Sequence, residues 1–205
     1  MLIGLSSLRP QVGKSTVANA LKREHGFLHA EMSDPIVVLA ERFFGYDNEL
    51  KGDPAQRRIL QELGLMGKTI DPTIWLYHTI GLARRKKWGL AIESMISPTF
   101  LYYYALQNIK EEIANVGVDD FLEGADLVIG GVRSPDEADE IIKIGGKVFL
   151  ITMPEKENQT AEQHAVENAL DGYTNFTGFV NNNGTIEDLE RKVSLIASGQ
   201  VDTII

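Results

Sequence analysis

Met1-Leu2-Ile3-Gly4-Leu5-Ser6-Ser7-Leu8-Arg9-Pro10-Gln11-Val12-Gly13-Lys14-Ser15-Thr16 opens the chain, and its reading decides the fold. The apolar run 2–6 predicts a first strand, and the apolar pattern from 14 to 24 predicts a helix after it. A G-K-S-T between a strand and a helix is where a phosphate-binding loop sits, so nucleotide phosphate is the first ligand to expect. Lys14 would bring a positive charge to the β/γ-phosphates, and the Ser15 hydroxyl would bind Mg²⁺. Backbone N–H groups from Val12 and Gly13 through Thr16 would cradle oxygens. The chemistry that follows is phosphoryl transfer or hydrolysis.

The loop departs from the full motif, G-x-x-x-x-G-K-[ST], which asks for glycine at position 8, where this chain has Leu8. Ser7 stands one residue further back, so the loop from Ser7 to Gly13 is read as holding one extra residue. Pro10 has no N–H and removes a donor, for which the guanidinium of Arg9 is expected to compensate.

A chain of 205 residues, 43% of them hydrophobic, can form one sizeable α/β core or a core with a small subdomain. It has no cysteine, which excludes a disulfide framework and thiolate catalysis. Ser6, Ser7, Arg9 and Pro10 interrupt the opening apolar stretch, so neither a signal peptide nor a membrane span is expected, and the predicted location is cytoplasmic. The net charge of −9 disfavours a broad nucleic-acid surface. Locally, Arg84-Arg85-Lys86-Lys87 reads either as a solvated helix end suited to the helix dipole or as a contact for polymeric DNA or an acidic partner.

Further along, Phe27-Leu28-His29-Ala30 predicts a short strand. Asp34-Pro35 after Ser33 predicts a helix entrance, with Asp as the cap and Pro at the first helical position, and the helical pattern runs through Phe44. A helix over 54–64 is expected to stop near Gly64, and Asp71-Pro72 to launch another carrying Trp75, Leu76 and Ile80. Residues 98–116 also read as helical; Tyr102, Tyr103 and Tyr104 cannot all face one core, so at least one belongs at a surface or a homodimer interface. Asp126-Leu127-Val128-Ile129 is a strong core strand leading through Gly130-Gly131-Val132 to Arg133. Ser134 and Glu137 then form a capping box for a helix to about Ile144, and Lys147 to Ile151 is the next strand. A helix near 160–170, a short element around 176–181 and a last helix opened by Thr185 complete the pattern. Strand–helix–strand units of this kind belong in a parallel sheet covered by helices.

Together these segments resemble the phage deoxynucleoside monophosphate kinases, a branch of the P-loop nucleoside monophosphate kinase fold. The residues that carry the resemblance are Gly13-Lys14-Ser15-Thr16, Ser33-Asp34-Pro35, Arg57 to Gly64, Asp71-Pro72-Thr73-Ile74-Trp75, Val132 to Ala138, His164 with Glu167, and Asn183 to Leu189. The match covers most of the chain outside roughly 84–121. It implies a three-layer, P-loop NTPase-like α/β fold over 1–205, with a parallel central sheet flanked by helices. Within it, 31–121 would be a mostly helical acceptor-binding region and 154–175 a lid.

The implied reaction moves the γ-phosphoryl of ATP, with Mg²⁺, to a deoxynucleoside monophosphate in the host cytoplasm. By position, Arg58 with Arg57 would grip the acceptor phosphate, Gln61 would bond the base and Trp75 would stack on it. Arg133 would neutralise charge near the transferring group, and Asn183 would border the donor base. Where relatives show an Asp suited to organising Mg²⁺, this chain has Gly131, and Asp34 is the carboxylate expected to stand in; Lys68 replaces a common Arg. His164 and Glu167 are too few ligands for a metal site and read as a lid or surface pair. Two other readings stay open: a P-loop kinase acting on the hydroxymethyl group of a modified pyrimidine within DNA, and a nucleotide-binding protein with a decayed site.

Overall fold

The computed structural model describes residues 1–50, 52–87, 101–153 and 169–200, with the backbone alone at 101–105. The chain divides into two compact units, Met1–His29 with Gly117–Ile205, and Ala30–Val116.

The first unit is built on a sheet of order β2-β3-β1-β4-β5. Its strands are β1 (Leu2–Ser6), β2 (Leu28–Glu31, where the chain passes out of this unit), β3 (Leu127–Val132), β4 (Lys147–Thr152) and β5 (Gly178–Asn181). β1 pairs in parallel with β3 and with β4, and β4 with β5. The side-chain period of two sends successive residues of β1 to opposite faces. Ile3 and Leu5 join a buried cluster with Val17 and Leu21 of α1 (Lys14–His25) and with Leu189, Val193 and Ile196 of α8 (Ile186–Ala197). Each such side chain taken fully from water contributes roughly 1.5–3 kcal/mol.

Gly4 faces the other way, onto α7 (Pro135–Lys143), where a Cβ would stand 2.8 Å from Ile141 Cδ1. Helices therefore cover both faces of a parallel sheet, which makes a three-layer α/β fold. The last helix is capped as its sequence predicts, with Thr185 Oγ1 accepting from the Asp188 N–H and Asp188 Oδ2 from the Thr185 N–H, both at 3.3 Å.

The pairing of β1 with β3 slips at its end. Gly4 lies opposite Ile129 but Ser6 opposite Val132, so Leu5 faces two residues, Gly130 and Gly131. Gly131 takes up the extra residue with φ 77°. Past this bulge Val132 is buried and Arg133 leaves the sheet end exposed.

The second unit contains α2 (Asp34–Phe43), a 3₁₀ turn at Asn48–Leu50, α3 (Pro54–Ile70), α4 (Ile74–Lys87) and α5 (Leu101–Val116); the short α6 (Val118–Phe121) already belongs to the first unit. Two expectations are corrected here. Ser33, not Asp34, occupies the N-cap of α2, and Asp34 lies in its first turn with its carboxylate 3.1 Å from Lys86 Nζ. Gly64 does not end α3, which continues to Ile70 because both internal glycines serve packing. The Gly64 carbonyl accepts the Trp75 indole N–H at 2.9 Å, and a Cβ on Gly67 would fall 2.3 Å from Trp75 Cζ2.

At the start of α3 the Asp53 carboxylate accepts from the N–H groups of Ala55 and Gln56, the capping that helix starts require. Among the described residues no helix is long and apolar enough to cross a membrane. The helix expected near 160–170, most of the lid 154–175, His164 and Glu167 lie outside the described residues, as do the side chains of Tyr102, Tyr103 and Tyr104.

Candidate functional site

The site of interest lies in the first unit, at the end of β1. Ser6 closes that strand by donating its hydroxyl to the Val132 carbonyl at 3.0 Å, which ties the start of the loop to the bulged end of β3. The loop then folds on itself. Ser7 Oγ donates to the Arg9 carbonyl at 2.8 Å, and Arg9 Nη1 donates to the Leu8 carbonyl at 2.8 Å. Gln11 turns with φ 57°, unusual for a residue with a Cβ, and Gly13 with φ 97°. Val12 between them is buried in the cluster under β1 and α1, so the loop is anchored at its centre.

Gly13 is the N-cap of α1. It brings no side chain to the cap, and no acidic residue stands in the helix's first turn. The first N–H groups of a helix have no intrahelical partner, and the helix's own first turn brings no carboxylate to them. Lys14 extends back over the loop, its Nζ 2.5 Å from Ser7 Oγ. Ser15 and Thr16 are exposed in the same turn.

A cavity of about 210 Å³ opens here, lined by residues 7–11, Lys14, Arg133 and Leu170. Among the described residues its charged lining is Arg9, Lys14 and Arg133, all cationic, from the loop, the helix and the β3–α7 turn. The Asp171 carboxylate lies 3.8 Å from Arg9 Nη1. Arg133 is aimed by its backbone. The Glu137 carboxylate, only 1% exposed, accepts the N–H of Arg133 at 2.9 Å and that of Ser134 at 3.2 Å. A concave wall of three cations from separate segments suits a polyanion with charges spread over several oxygens, such as the triphosphate of ATP.

Of the residues expected from the sequence, Arg9, Lys14 and Arg133 meet at this cavity, with Val12, Gly13, Ser15 and Thr16 forming its loop and helix start. Asn183 is exposed; its neighbour Asn182 makes the loop contact, donating Nδ2 to the Val12 carbonyl at 3.0 Å. Sequence spacing could not separate two adjacent asparagines, because which one turns inward depends on where β5 ends.

Asp34, Arg57, Arg58, Gln61 and Trp75 belong to the second unit. Arg57, Arg58 and Gln61 are exposed along α3, with Arg58 Nε 3.6 Å from Glu62 Oε1. Trp75 is different. Its indole is 2% exposed, packed on Gly67 and bonded to Gly64, so the open ring face that base stacking requires is absent in this arrangement. Asp34 is engaged with Lys86, and among the described residues no group of three His, Cys, Asp or Glu side chains gathers for a metal. In the basic run Arg84 holds Glu112 at 2.8 Å and Lys86 holds Asp34, so these two charges are met within the unit.

No family model and no curated protein matches the chain. Among solved structures it is similar to TT1252 of Thermus thermophilus, at 18% identity over 98% of both chains with a TM-score of 0.42. It is also similar to shikimate kinase of Aquifex aeolicus, at 15% identity over 100% of this chain and 86% of that one, with a TM-score of 0.33. Likenesses of this size carry no argument about function. The chain's own strand–loop–helix unit is set in a parallel sheet between helix layers, a three-layer α/β fold.

Proposed function

We propose that this protein is a nucleotide kinase that transfers the γ-phosphoryl of ATP to a deoxynucleoside 5′-monophosphate, giving ADP and the diphosphate. The observation that carries the reading is the convergence of Arg9, Lys14 and Arg133 on one cavity at the β1–α1 loop. In the reaction an oxygen of the acceptor phosphate attacks the γ-phosphorus while the bond to the ADP oxygen breaks. No side-chain nucleophile takes part.

Lys14 would lie along the β/γ-phosphates. Arg133, held by Glu137 through its backbone, would offer its planar guanidinium to the transferring group. Arg9 supplies side-chain donors where Leu8 and Pro10 deprive the loop of a glycine and an N–H. Ser15 is the residue that would hold Mg²⁺, which when bound offsets phosphate charge.

For the acceptor, Arg57, Arg58 and Gln61 offer two guanidinium forks and an amide on exposed turns of α3. Trp75 is left out of this assignment because its ring is spent on packing. A DNA acceptor gains no support from the basic run, since Arg84 and Lys86 are paired within their unit.

The test is a kinase assay with Mg²⁺·ATP over dTMP, dGMP, dCMP, dAMP and 5-hydroxymethylpyrimidine monophosphates, with a hydroxymethyluracil-containing duplex as a further acceptor and Lys14→Ala as the control. Phosphorylation of a free monophosphate, abolished in the control, is the expected result. Turnover unchanged in Lys14→Ala removes the assigned site, and labelling of the duplex alone changes the acceptor.

A further inference from the structure

We infer that Asn182 is a positioning residue of the phosphate loop, setting the orientation of the Val12–Gly13 peptide; the inference rests on the phosphate-site reading above. Asn182 follows β5. Its backbone N–H donates to the Thr152 carbonyl at 2.7 Å, beside the end of β4, and the preceding carbonyl of Asn181 accepts from Lys192 Nζ of α8 at 2.6 Å. The stem of the side chain is thus fixed from two elements. From that stem the amide reaches the loop, where Nδ2 donates to the Val12 carbonyl at 3.0 Å.

A peptide unit is planar and trans, so its C=O and N–H point in opposite directions. Holding the Val12 oxygen on the Asn182 side therefore turns the Gly13 N–H away from Asn182, leaving it free for a ligand oxygen. If that peptide rotated, a carbonyl oxygen would replace the donor, and a phosphate would meet repulsion instead of a hydrogen bond. The approach is close enough to specify both partners. A Cβ on Gly13 would lie 2.2 Å from Asn182 Nδ2, so the amide occupies space that only a glycine leaves. The contact also explains how a loop without the first motif glycine keeps one geometry: the constraint comes from the far edge of the sheet.

Isothermal titration calorimetry with Mg²⁺·ATP on wild type, Asn182→Ala and Asn182→Asp tests this, with thermal melting and the Gly13 ¹H–¹⁵N resonance read on the same samples. Asn182→Asp is nearly isosteric but cannot donate to Val12. We expect ATP affinity to fall about tenfold in both variants, with melting unchanged and the Gly13 amide resonance displaced before ligand is added. Affinities within about twofold of wild type in both overturn the inference and leave the phosphate site standing. A loss that tracks lower melting temperatures in both also overturns it, because the residue then holds the fold and not the peptide. Absence of ATP binding in wild type sinks the phosphate-site reading itself.

Discussion

The loop after β1 and the helix α3 were both marked by the sequence as ligand-binding, yet they are built on opposite principles. The loop is over-determined. Its backbone turns through positive φ at Gln11 and Gly13, Val12 pins it into the core, and Asn182, Ser6 and Glu137 tie it or its neighbours down by hydrogen bonds. By contrast α3 carries Arg57, Arg58 and Gln61 as exposed side chains, while Trp75 of α4 packs inward against it. A rigid backbone frame fixes where phosphate oxygens can sit, whereas long side chains on a helix face adapt to what arrives. In the proposed reading the difference separates the donor side, whose geometry exists before ligand binds, from the acceptor side, whose geometry would be acquired on binding.

The sharpest way to break that contrast is at Trp75. Trp75→Ala removes a large buried ring together with its indole hydrogen bond to the Gly64 carbonyl, so denaturant unfolding should show a loss of about 3–5 kcal/mol. A variant of native stability with a raised KM for the acceptor would return the ring to the binding face.

Next in size are the cations of the cavity. Lys14→Ala and Arg133→Ala should each lower kcat by about a hundredfold or more, with unfolding midpoints close to wild type. Arg133→Lys should recover only part, because the planar fork is lost. Equal kcat in all three would leave the convergence without a role.

Gly13→Ala should come next, costing of the order of 2 kcal/mol in stability from strain at φ 97° and collision with the Asn182 amide, and weakening ATP binding in calorimetry. Arg57→Ala and Arg58→Ala should raise KM for the monophosphate by about tenfold while leaving that for ATP unchanged. An ATP effect equal to the acceptor effect would erase the donor–acceptor division.

The smallest expected effect is electrostatic and lies wholly within the second unit. Burial alone would raise the Asp71 carboxyl, but its hydrogen bonds with Lys110 Nζ and with Thr73, together with the lysine charge, outweigh that and hold it below the ordinary 3.8. A depressed carboxyl binds fewer protons in the folded chain than in the unfolded one. Its contribution is therefore complete above the unfolded value and fades as pH falls through the folded one. Asp71→Asn should flatten the decline of melting temperature below about pH 4, by an amount worth under about 1 kcal/mol. An unchanged profile would mean the pair with Lys110 contributes nothing measurable.

Much of the first unit was legible because its signals are local. A five-residue apolar strand, G-K-S-T and a following amphipathic helix specify a strand–loop–helix unit wherever they occur, and Ser134 with Glu137 marks a helix start by hydrogen-bonding rules alone. Glycines were ambiguous because the residue is permissive for several reasons. Gly64 read as a stop but accepts an indole N–H inside a helix; Gly131, read as a missing acid, is the extra residue of a bulge with positive φ, a conformation most other residues would strain to adopt.

By itself, then, the sequence determined the strand–loop–helix at the start of the chain, the alternation of strands and helices around it, and which cations were available for phosphate. Periodicity, capping and turn chemistry act over a few residues, so they are written locally. Only the tertiary structure decided which of those cations share a cavity, that Asn182 and not Asn183 grips the loop, and that Trp75 is spent on Gly67. Those outcomes depend on where strand ends meet across the sheet and on how closely two helices approach, distances set by packing between segments far apart in the chain.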